Sequence, residues 1–566
     1  MDFREQIRDL LVPLIEEFST EEIQNLIEVP PNSEMGDFAF PCFKLAKNYR
    51  KAPPLIAAEL AGKIEKPDFL SEIKGVGGYL NFFIDRTLTA SKVIRSAIEK
   101  RDDFGRMEIG KGKNIIVEFS SPNIAKPFHI GHIRTTVIGH SLYRIYRFLG
   151  YPTTAINHLG DYGTQFGKLI VAYKAWGDEA EVKADPIPAL LKLYVRFHDE
   201  AQNHPEMEDQ AREWFHKLEE GDEEAYKLWS FFREVSLEEF SRVYDMLGIR
   251  FDSFAGESFY SDKMPEVIEI LEAKKLLQES RGAQIVDLEP YGMPPSLIKK
   301  SDGSTLYITR DLAAAIYRSR TYDFYKNIYV VGSQQALHFK QWIQILDMMG
   351  FEAAKGCVHV QFGMVSLEDG TLSTRKGRVV FLEDVLNQAI RKTKEVILQK
   401  NPNLPNIDEL SKQIGVGAVV FQELSNSRIK DYTFSWERTL SFEGETGPYV
   451  QYTHARACSL IRKAGMKIDA NIDYRFIADN KDAMEVVRVL GTFEEVIRRA
   501  ADRYEPHHVT RFVLDLAQAF NKFYHDNPIL SAEEEEKKAR LALVEATRIG
   551  VKNALDLLGM QAPEQM

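Results

Sequence analysis

Two histidines, His129 and His132, stand three residues apart where a strand and a loop lead into a helix. The apolar run 115–119 predicts the strand, and the apolar spacing over 130–149 predicts the helix. Three-residue spacing would put both imidazoles on one face of the first turn, where free N–H groups and the helix dipole favour a phosphate. Gly131 between them would let a flat adenine approach the main chain. The pattern predicts a nucleotide phosphate site; a chance pair of surface histidines is the alternative.

These residues carry a resemblance to a known family. His129-Ile130-Gly131-His132 is the HIGH signature of class I aminoacyl-tRNA synthetases, in its usual position after the first Rossmann strand. The stretch from Ser121 into that signature resembles the arginyl-tRNA synthetases in particular. Further blocks that resemble this family are NHLGDYGTQFGKL (157–169), SDGSTLYITRDLAAA (301–315), VVGSQQALHF (330–339), LSTRKG (372–377) and GPYVQYTHAR (447–456). Together they span most of the chain in order.

The second signature of the class departs from its usual form. Class I enzymes usually carry KMSKS on a mobile loop, whose lysines neutralise the triphosphate, whereas residues 371–375 read TLSTR. The resemblance implies that Lys126, just before the HIGH residues, supplies the missing cation. The catalytic residues implied are Lys126, His129, His132, Arg375 and Lys376. The ATP contacts implied are His129, Gly131, His132, His338 and Ser373, with Mg²⁺ bound to the ATP and no structural metal.

Recognition of arginine requires groups that suit a planar cation with five N–H donors, which are carboxylates and a tyrosine. The resemblance assigns these roles to Tyr307 and Asp311. Their spacing of four puts both on one helical face if the helix has begun there; for Asp311 the alternative is a helix cap or a surface ion pair. Glu257, in GESFY, is a second carboxylate candidate. Ser121, Asn123, His132 and Gln335 are assigned to the main-chain end of arginine and the nearby phosphate.

The arrangement of predicted elements indicates three domains in the 566 residues. Residues 1–110 predict a small α+β unit, which resembles the additional tRNA-contacting domain of the family. Short β-rich runs alternate with helices over 111–430, which indicates an α/β Rossmann-like catalytic domain with a parallel sheet. A Glu-rich helical insertion interrupts it at about 175–255. Residues 431–566 predict an all-helical bundle that resembles the anticodon-binding domain.

The helical bundle supplies the predicted contacts to tRNA. Unpaired anticodon bases are held by aromatic stacking and by hydrogen bonds to base edges. Tyr449, Gln451 and Tyr452 are the candidates, although most aromatic residues of such a segment belong to the core. The net charge of −12 argues against a nucleic-acid partner only weakly, since binding needs a local basic surface and not a positive total.

Composition indicates a cytoplasmic protein. No run of about 18 apolar residues predicts a membrane span, and the first residues lack the apolar core of a signal peptide. Cys42, Cys357 and Cys458 are distant from one another and odd in number, which fits a reducing compartment. We therefore expect a cytoplasmic monomer that uses ATP, L-arginine and tRNA(Arg) and has no membrane partner; the monomeric state is implied by the resemblance.

Two other functions remain possible at this point. A cytidylyltransferase-like nucleotidyltransferase shares the HxGH pattern, but such proteins are shorter and the block around Tyr307 and Asp311 has no role in them. A synthetase-like protein that binds tRNA or an amino acid without catalysis is the other, suggested by Thr371 in the second signature. ATP–pyrophosphate exchange with arginine, with and without tRNA, separates all three.

Overall fold

The computed structural model describes residues 3–32, 35–300, 307–367 and 380–566. Its N-terminal unit contains helices α1 (Phe3–Leu11), α2 (Thr20–Leu26), α3 (Ala46–Tyr49) and α4 (Pro53–Lys63) and strands β1 (Phe38–Pro41), β2 (Leu70–Val76) and β3 (Tyr79–Ile84). The strands form an antiparallel sheet in the order β1-β3-β2. The unit has its own apolar core, and the last residue of that core is Ile84.

The chain from Arg86 to Ser280 contains helices α5 (Arg86–Lys100), α6 (Ile133–Phe148), α7 (Thr164–Trp176), α8 (Glu179–Ala184), α9 (Pro186–Ala201), α10 (Glu206–Glu219), α11 (Glu223–Leu247) and α12 (Met264–Ala273). Its strands are β4 (Asn114–Glu118), β5 (Thr153–Ile156) and β6 (Leu277–Ser280). Helix α5 packs on the C-terminal helices and belongs to the main core. The N-terminal core therefore ends well before residue 110, the predicted boundary.

The remainder contains strands β7 (Ala283–Val286), β8 (Ser296–Lys299), β9 (Phe324–Gly332), β10 (Cys357–Phe362), β11 (Val365–Leu367) and β12 (Tyr432–Phe434). Its helices are α13 (Tyr307–Tyr322), α14 (Ala336–Met348), α15 (Leu382–Lys400), α16 (Ile407–Leu424), α17 (Trp436–Thr439), α18 (Gly447–Ala464), α19 (Arg475–Ala478), α20 (Lys481–Gly491), α21 (Phe493–Arg503), α22 (His507–Asp526) and α23 (Glu534–Leu557).

A four-stranded parallel sheet in the order β10-β9-β4-β5 forms the centre of the catalytic part. This confirms the predicted Rossmann-like fold, and the helical insertion is present as α8–α11 with its own apolar core. The antiparallel sheet β6-β7-β8 was not predicted, because its strands are only four residues long. None of the helices in the described part of the chain combines the length and apolar character needed to cross a bilayer.

The helical bundle and the sheet share one apolar core. Residues of β4, β9 and α6 belong to the same cluster as those of α18, α20, α22 and α23. Helix α6 also contacts the end of α23 through polar groups, since the Ser141 hydroxyl donates to Leu557 O at 2.9 Å. The helix that follows the two histidines is therefore packed directly against the C-terminal domain.

A buried ion pair connects α13 to the end of β4. Arg318 Nη1 lies 2.5 Å from Glu118 Oε2, with the Arg318 side chain 0% and the Glu118 side chain 8% exposed. The Arg318 guanidinium also contacts the Tyr260 hydroxyl and His158 Nδ1, both at 3.4 Å. Because an isolated charge is expensive to bury, each member of this group depends on the others.

Replacing Arg318 with Met should lower the free energy of unfolding by about 3–5 kcal/mol, since Glu118 would stay buried without its cation. Urea denaturation measures the effect. Arg320→Ala is the matched control on the same helix, because Arg320 and its partner Glu266 are both exposed and such pairs contribute at most about 1 kcal/mol. Equal losses in the two variants would show that burial of the Glu118 pair is unimportant.

Candidate active site

The predicted site residues follow the carboxyl ends of parallel strands. The loop after β4 carries the two histidines, the segment after β5 begins at Asn157, and α14 follows β9. Ligands of open parallel sheets bind at this edge, because loops that leave adjacent strands there converge. Helix α13, which precedes β9 in the chain, also contributes residues to this region.

The two histidines form a closed reciprocal cap. His129 Nδ1 accepts the Gly131 N–H at 3.0 Å, and His132 Nδ1 accepts the His129 N–H at 3.2 Å. The ring centroids are 4.1 Å apart. An imidazole whose Nδ1 accepts carries its proton on Nε2, so the His129 ring keeps an Nε2–H donor suited to a phosphate oxygen. His132 Nδ1 lies 3.2 Å from both the N and the O of His129, and in the tautomer that accepts from the N–H its ring offers a second such donor.

The local geometry corrects two details of the sequence prediction. Residues 130–132 form a 3₁₀ turn, and the α-helix begins only at Ile133. The Gly131 N–H already bonds to the His129 ring, so it is not free for phosphate in this conformation. A Cβ on Gly131 would lie 2.7 Å from His129 Cε1. Glycine is needed there by the histidine ring itself.

The main chain around the first histidine is held extended by the segment after the second signature. Leu382 N–H donates to Phe128 O at 2.9 Å, and Ile130 N–H donates to Val380 O at 3.1 Å. His129 and Phe381 form an antiparallel bridge between these bonds. The chain leaving the second signature thus lies against the HIGH residues. Ser373, Arg375 and Lys376 themselves lie outside the described residues.

The loop before the histidines is pinned to the loop after β5. Gly160 N–H donates to Pro122 O at 3.1 Å, and Ile124 N–H donates to Gly160 O at 3.2 Å. A Cβ on Gly160 would lie 2.1 Å from Asn123 Oδ1, so a larger residue there would displace the Asn123 side chain. Ser121 has a φ of 46°, and its buried Oγ has no hydrogen-bond partner within the described residues. Lys126 is exposed at the end of this loop.

The predicted arginine-binding pair lies on one face of one helix. Tyr307 is the first residue of α13 and is 63% exposed, and Asp311 lies one turn later. Asp311 Oδ2 is 2.6 Å from His338 Nε2, which comes from the first turn of α14. Gln335 precedes that turn and is exposed. The structure thus joins a predicted arginine ligand to a predicted ATP ligand, a contact that sequence analysis did not foresee.

Glu257 enters the same region but already has a cation. Its Oε2 accepts a hydrogen bond from Arg310 Nη1 at 2.8 Å. Burial raises the pKa of the Glu257 carboxyl to about 7, against the opposing effect of Arg310. Arg310 also lies over the Tyr162 ring, 4.5 Å from its centroid. Sequence analysis missed Arg310, although it directly precedes Asp311.

Asp161 positions the turn that carries Glu257. Its Oδ1 accepts the Ser258 N–H at 2.9 Å, and Arg233 Nε lies 3.2 Å from its Oδ2. The Asp161 side chain is 0% exposed. Gly256 packs so closely that a Cβ there would lie 2.6 Å from Asp161 Oδ1. Asp161 belongs to the block NHLGDYG, where the sequence signal for its role was available.

The three predicted tRNA contacts on α18 differ in how accessible they are. Gln451 is fully buried, and its Nε2 donates to Gln413 O and Gln561 O at 3.1 and 2.9 Å. In this structure the Gln451 side chain supports the fold and is not accessible to tRNA, so a contact with tRNA would require it to be uncovered. Tyr449 is half-buried and bonds to Asn521. Tyr452 is 40% exposed.

An exposed group of aromatic and cationic side chains surrounds Tyr452. The Arg456 guanidinium carbon lies 4.9 Å from the ring centroids of both Tyr452 and Tyr524. Tyr524, on α22, is 39% exposed. We call these three residues the α18–α22 platform. Within the described residues, no cluster of His, Cys, Asp and Glu has the arrangement of a metal site.

The sheet, the HIGH residues at its carboxyl edge and the segment bound against them define a class I aminoacyl-tRNA synthetase. A methionyl-tRNA synthetase structure from Mycobacterium tuberculosis shares this fold, with a TM-score of 0.50 and 14% identity over 80% of this chain and 92% of that one. The model of the class I (R) tRNA synthetase catalytic domain matches residues 94–436. The DALR anticodon binding domain matches residues 450–566, and the arginyl tRNA synthetase N-terminal domain matches 1–84.

Full-length relatives identify the particular family. The arginine–tRNA ligase of Clostridioides difficile is 66% identical over 565 residues, and that of Halothermothrix orenii is 60% identical over 566; each match covers 100% of both chains. The arginyl-tRNA synthetase structure from Thermus thermophilus has a TM-score of 0.83 and 26% identity, covering 100% of both chains. The chain belongs to the arginyl-tRNA synthetase family.

The environment of His132 predicts an imidazole that stays neutral during catalysis. Burial, aided by the neighbouring His129, lowers the pKa of His132 to about 3. Its ¹³C-labelled ring resonances, assigned by their loss in His132→Gln, should therefore not move between pH 8 and pH 5. Free histidine in the same buffer serves as the titrating reference. A His132 transition near pH 6.5 would contradict the buried, neutral ring.

Proposed function

We propose that this chain is an arginine–tRNA ligase that forms arginyl-adenylate from L-arginine and ATP and transfers the arginyl group to tRNA(Arg). One observation supports this most strongly. The paired HIGH imidazoles, with residues 380–382 bound against them, lie at the same sheet edge as Asp311, which suits a guanidinium. Phosphate donors and a cation-binding carboxylate in one site fit a reaction between ATP and a cationic amino acid.

Activation is an in-line displacement at phosphorus. The arginine carboxylate attacks the α-phosphorus of ATP, supplied with Mg²⁺ as its substrate complex, and pyrophosphate leaves. The protein acts by positioning the reactants and stabilising charge that develops on phosphate oxygens. The Nε2–H groups of His129 and His132 donate to those oxygens, and Lys126 adds a cation from the preceding loop. Arg375 and Lys376 supply positive charge from the second signature.

Recognition of arginine depends on α13. Asp311 accepts hydrogen bonds from the substrate guanidinium, and Tyr307 lies one turn away on the same face. Glu257 acts as a second carboxylate when Arg310 releases it. Ser121, whose buried hydroxyl has no partner among the described residues, binds the main-chain end of arginine together with Asn123 and Gln335.

Transfer requires the 3′ end of tRNA in the same site. The terminal ribose hydroxyl attacks the mixed anhydride and releases AMP. The α18–α22 platform holds an anticodon base by stacking, and the N-terminal unit contacts the tRNA elsewhere. The resemblance to arginyl-tRNA synthetases implies that activation requires bound tRNA, and the packing of α6 on α23 offers a direct physical path for that dependence. We place the reaction in the cytoplasm with the chain as a monomer; the three cysteines are free and buried, which fits a reducing compartment.

Asp311→Asn should reduce kcat/KM for arginine by about 30- to several-thousand-fold, because loss of the carboxylate costs on the order of 2–5 kcal/mol. The KM for ATP should change little. Pyrophosphate exchange and tRNA charging, with and without tRNA(Arg), measure both effects and test the proposed function itself. Citrulline, a neutral analogue of arginine, should be a poor substrate that loses much less in the variant.

Glu257→Gln is the matched control, since it also replaces a pocket carboxylate by an amide. It should reduce arginine use less than Asp311→Asn, because Arg310 already neutralises Glu257. Equal loss of arginine and citrulline in Asp311→Asn would assign Asp311 a purely structural role. Absence of arginine-dependent exchange in the wild type would refute the proposed function.

Removing the exposed ring of Tyr452 should weaken tRNA binding without affecting the chemistry. Stacking of one base contributes about 1–3 kcal/mol, so Tyr452→Ala should raise the KM for tRNA by roughly 5- to 150-fold. The kcat for charging should change little. Tyr291→Ala, which removes another exposed tyrosine far from α18 in sequence, is the control. An unchanged KM in Tyr452→Ala would exclude the platform from tRNA recognition.

A further inference from the structure

Four carboxylates near the amino-acid pocket each have a cationic partner, and one partner differs from the rest. The charges of Asp311 and Asp161 both act on Glu257 and on His158, so these groups share one electrostatic environment. Three of the carboxylates are paired with guanidinium groups, which stay charged at all relevant pH values. These three pairs are Glu118–Arg318 at 2.5 Å, Asp161–Arg233 at 3.2 Å and Glu257–Arg310 at 2.8 Å. The fourth pair is Asp311–His338 at 2.6 Å, in which the partner is an imidazole.

The chemistry of the fourth pair permits exchange of its cation. An imidazole is a cation only when protonated, and it can lose that proton between pH 5 and pH 8. A protonated His338 would neutralise Asp311 as an arginine side chain neutralises its partner. A neutral His338 would leave the Asp311 carboxylate with an unbalanced negative charge.

Exposure singles out the same pair. The Asp311 side chain is 34% exposed and that of His338 28%, whereas the Glu118, Asp161 and Glu257 side chains are 8%, 0% and 19% exposed. Asp311 is therefore the carboxylate of the four that a ligand reaches most easily. It is also the one whose internal cation can be removed by loss of a proton.

We propose that protonation of His338 and binding of the substrate guanidinium at Asp311 exclude each other, so that arginine and a proton compete for one carboxylate. The inference rests on the proposed role of Asp311 in arginine binding. When arginine binds, His338 Nε2 gives its proton to solvent and the guanidinium stays charged, so Asp311 exchanges one cation for another. His338, which the resemblance also assigns to ATP, acts on arginine binding as a positioning residue through Asp311.

The effect of His338 on the pH dependence of arginine binding must be distinguished from the effects of other titratable groups near the pair. His359, on β10, acts electrostatically with His338, and burial lowers the pKa of His359. Burial also lowers the pKa values of His129 and His158. Glu257 is the serious alternative, because burial raises the pKa of its carboxyl to about 7. Protonation of Glu257 would likewise weaken arginine binding as pH falls.

The test is the pH dependence of the KM for arginine in pyrophosphate exchange, between pH 5.5 and 8.5, with saturating ATP and tRNA. In the wild type the KM should be constant at high pH and should rise on the acidic side, approaching tenfold per pH unit, as expected for competition with one proton. The kcat should follow the arginine KM much less. Glu257→Gln should keep most of the wild-type rise. In that background, which removes the other titrating carboxyl, the additional His338→Gln change should give a KM that no longer rises with acidity.

Calorimetry of the unmodified full-length protein provides a second measurement that needs no variant to fold. L-arginine is titrated at pH 6 in two buffers of different ionisation enthalpy, and the difference in heat counts the protons released. Arginine binding should release protons in the wild type and in Glu257→Gln, and none in the double variant Glu257→Gln/His338→Gln.

The outcomes separate this inference from the proposed function. The inference is overturned if the wild-type KM for arginine is independent of pH or if arginine binding releases no proton. The proposed function would still stand in that case, provided that Asp311→Asn loses activity with arginine specifically. A pH dependence that disappears in Glu257→Gln and persists in His338→Gln assigns the effect to Glu257 and also overturns the inference. Equal loss of arginine and citrulline in Asp311→Asn would instead remove the proposed function beneath it.

Discussion

The buried charge of Arg318 is the constraint on which the pocket depends. Its guanidinium is inaccessible to water, so it must be paired, and Glu118 at the last position of β4 is its ion partner. This pair sets the position of α13 against the carboxyl end of the sheet. Because α13 also carries Tyr307 and Asp311, the same contact determines where the proposed arginine-binding groups stand.

The pocket is consequently built from charges that already have partners. In the proposed binding mode, a substrate cation replaces an internal cation, and the strength of the existing ion pair decides how easily that exchange occurs. A buried pair with arginine resists exchange, because separating it leaves an uncompensated charge. The Asp311–His338 pair is partly exposed, and the proposed exchange takes place there.

A second polar junction connects the catalytic sheet with the helical bundle. Arg428 donates to Gln361 O at 2.5 Å at the end of β10 and to Tyr504 O at 3.0 Å at the end of α21. Three residues later, Asp431 accepts the Met364 N–H at 2.6 Å, just before β11. From α6, Arg134 donates to Lys430 O at 2.7 Å. Residues 428–431 therefore bind the bundle, the helix after the HIGH residues and the strand that leads into the second signature.

The sequence by itself determined the class of fold and the main chemical groups. Local periodicity was enough to predict the parallel strands and the helix after His132, and the spacing of Tyr307 and Asp311 correctly predicted a shared helical face. These features depend on residues close together in the chain. Residues 371–376 were informative in sequence, but they lie in the undescribed segment 368–379, so their predicted roles remain predictions.

Only the tertiary structure decided which groups are paired. Glu118 and Arg318 are 200 residues apart, Glu257 and Arg310 are 53 apart, and Asp311 and His338 are 27 apart. No local pattern links such residues, because their contact depends on how strands and helices pack. For the same reason the sequence could suggest Gln451 as a tRNA contact but could not show that it is buried against the C-terminal residue Gln561. Composition and motif define what a residue can do, whereas burial and its partner decide whether that group is free to do it.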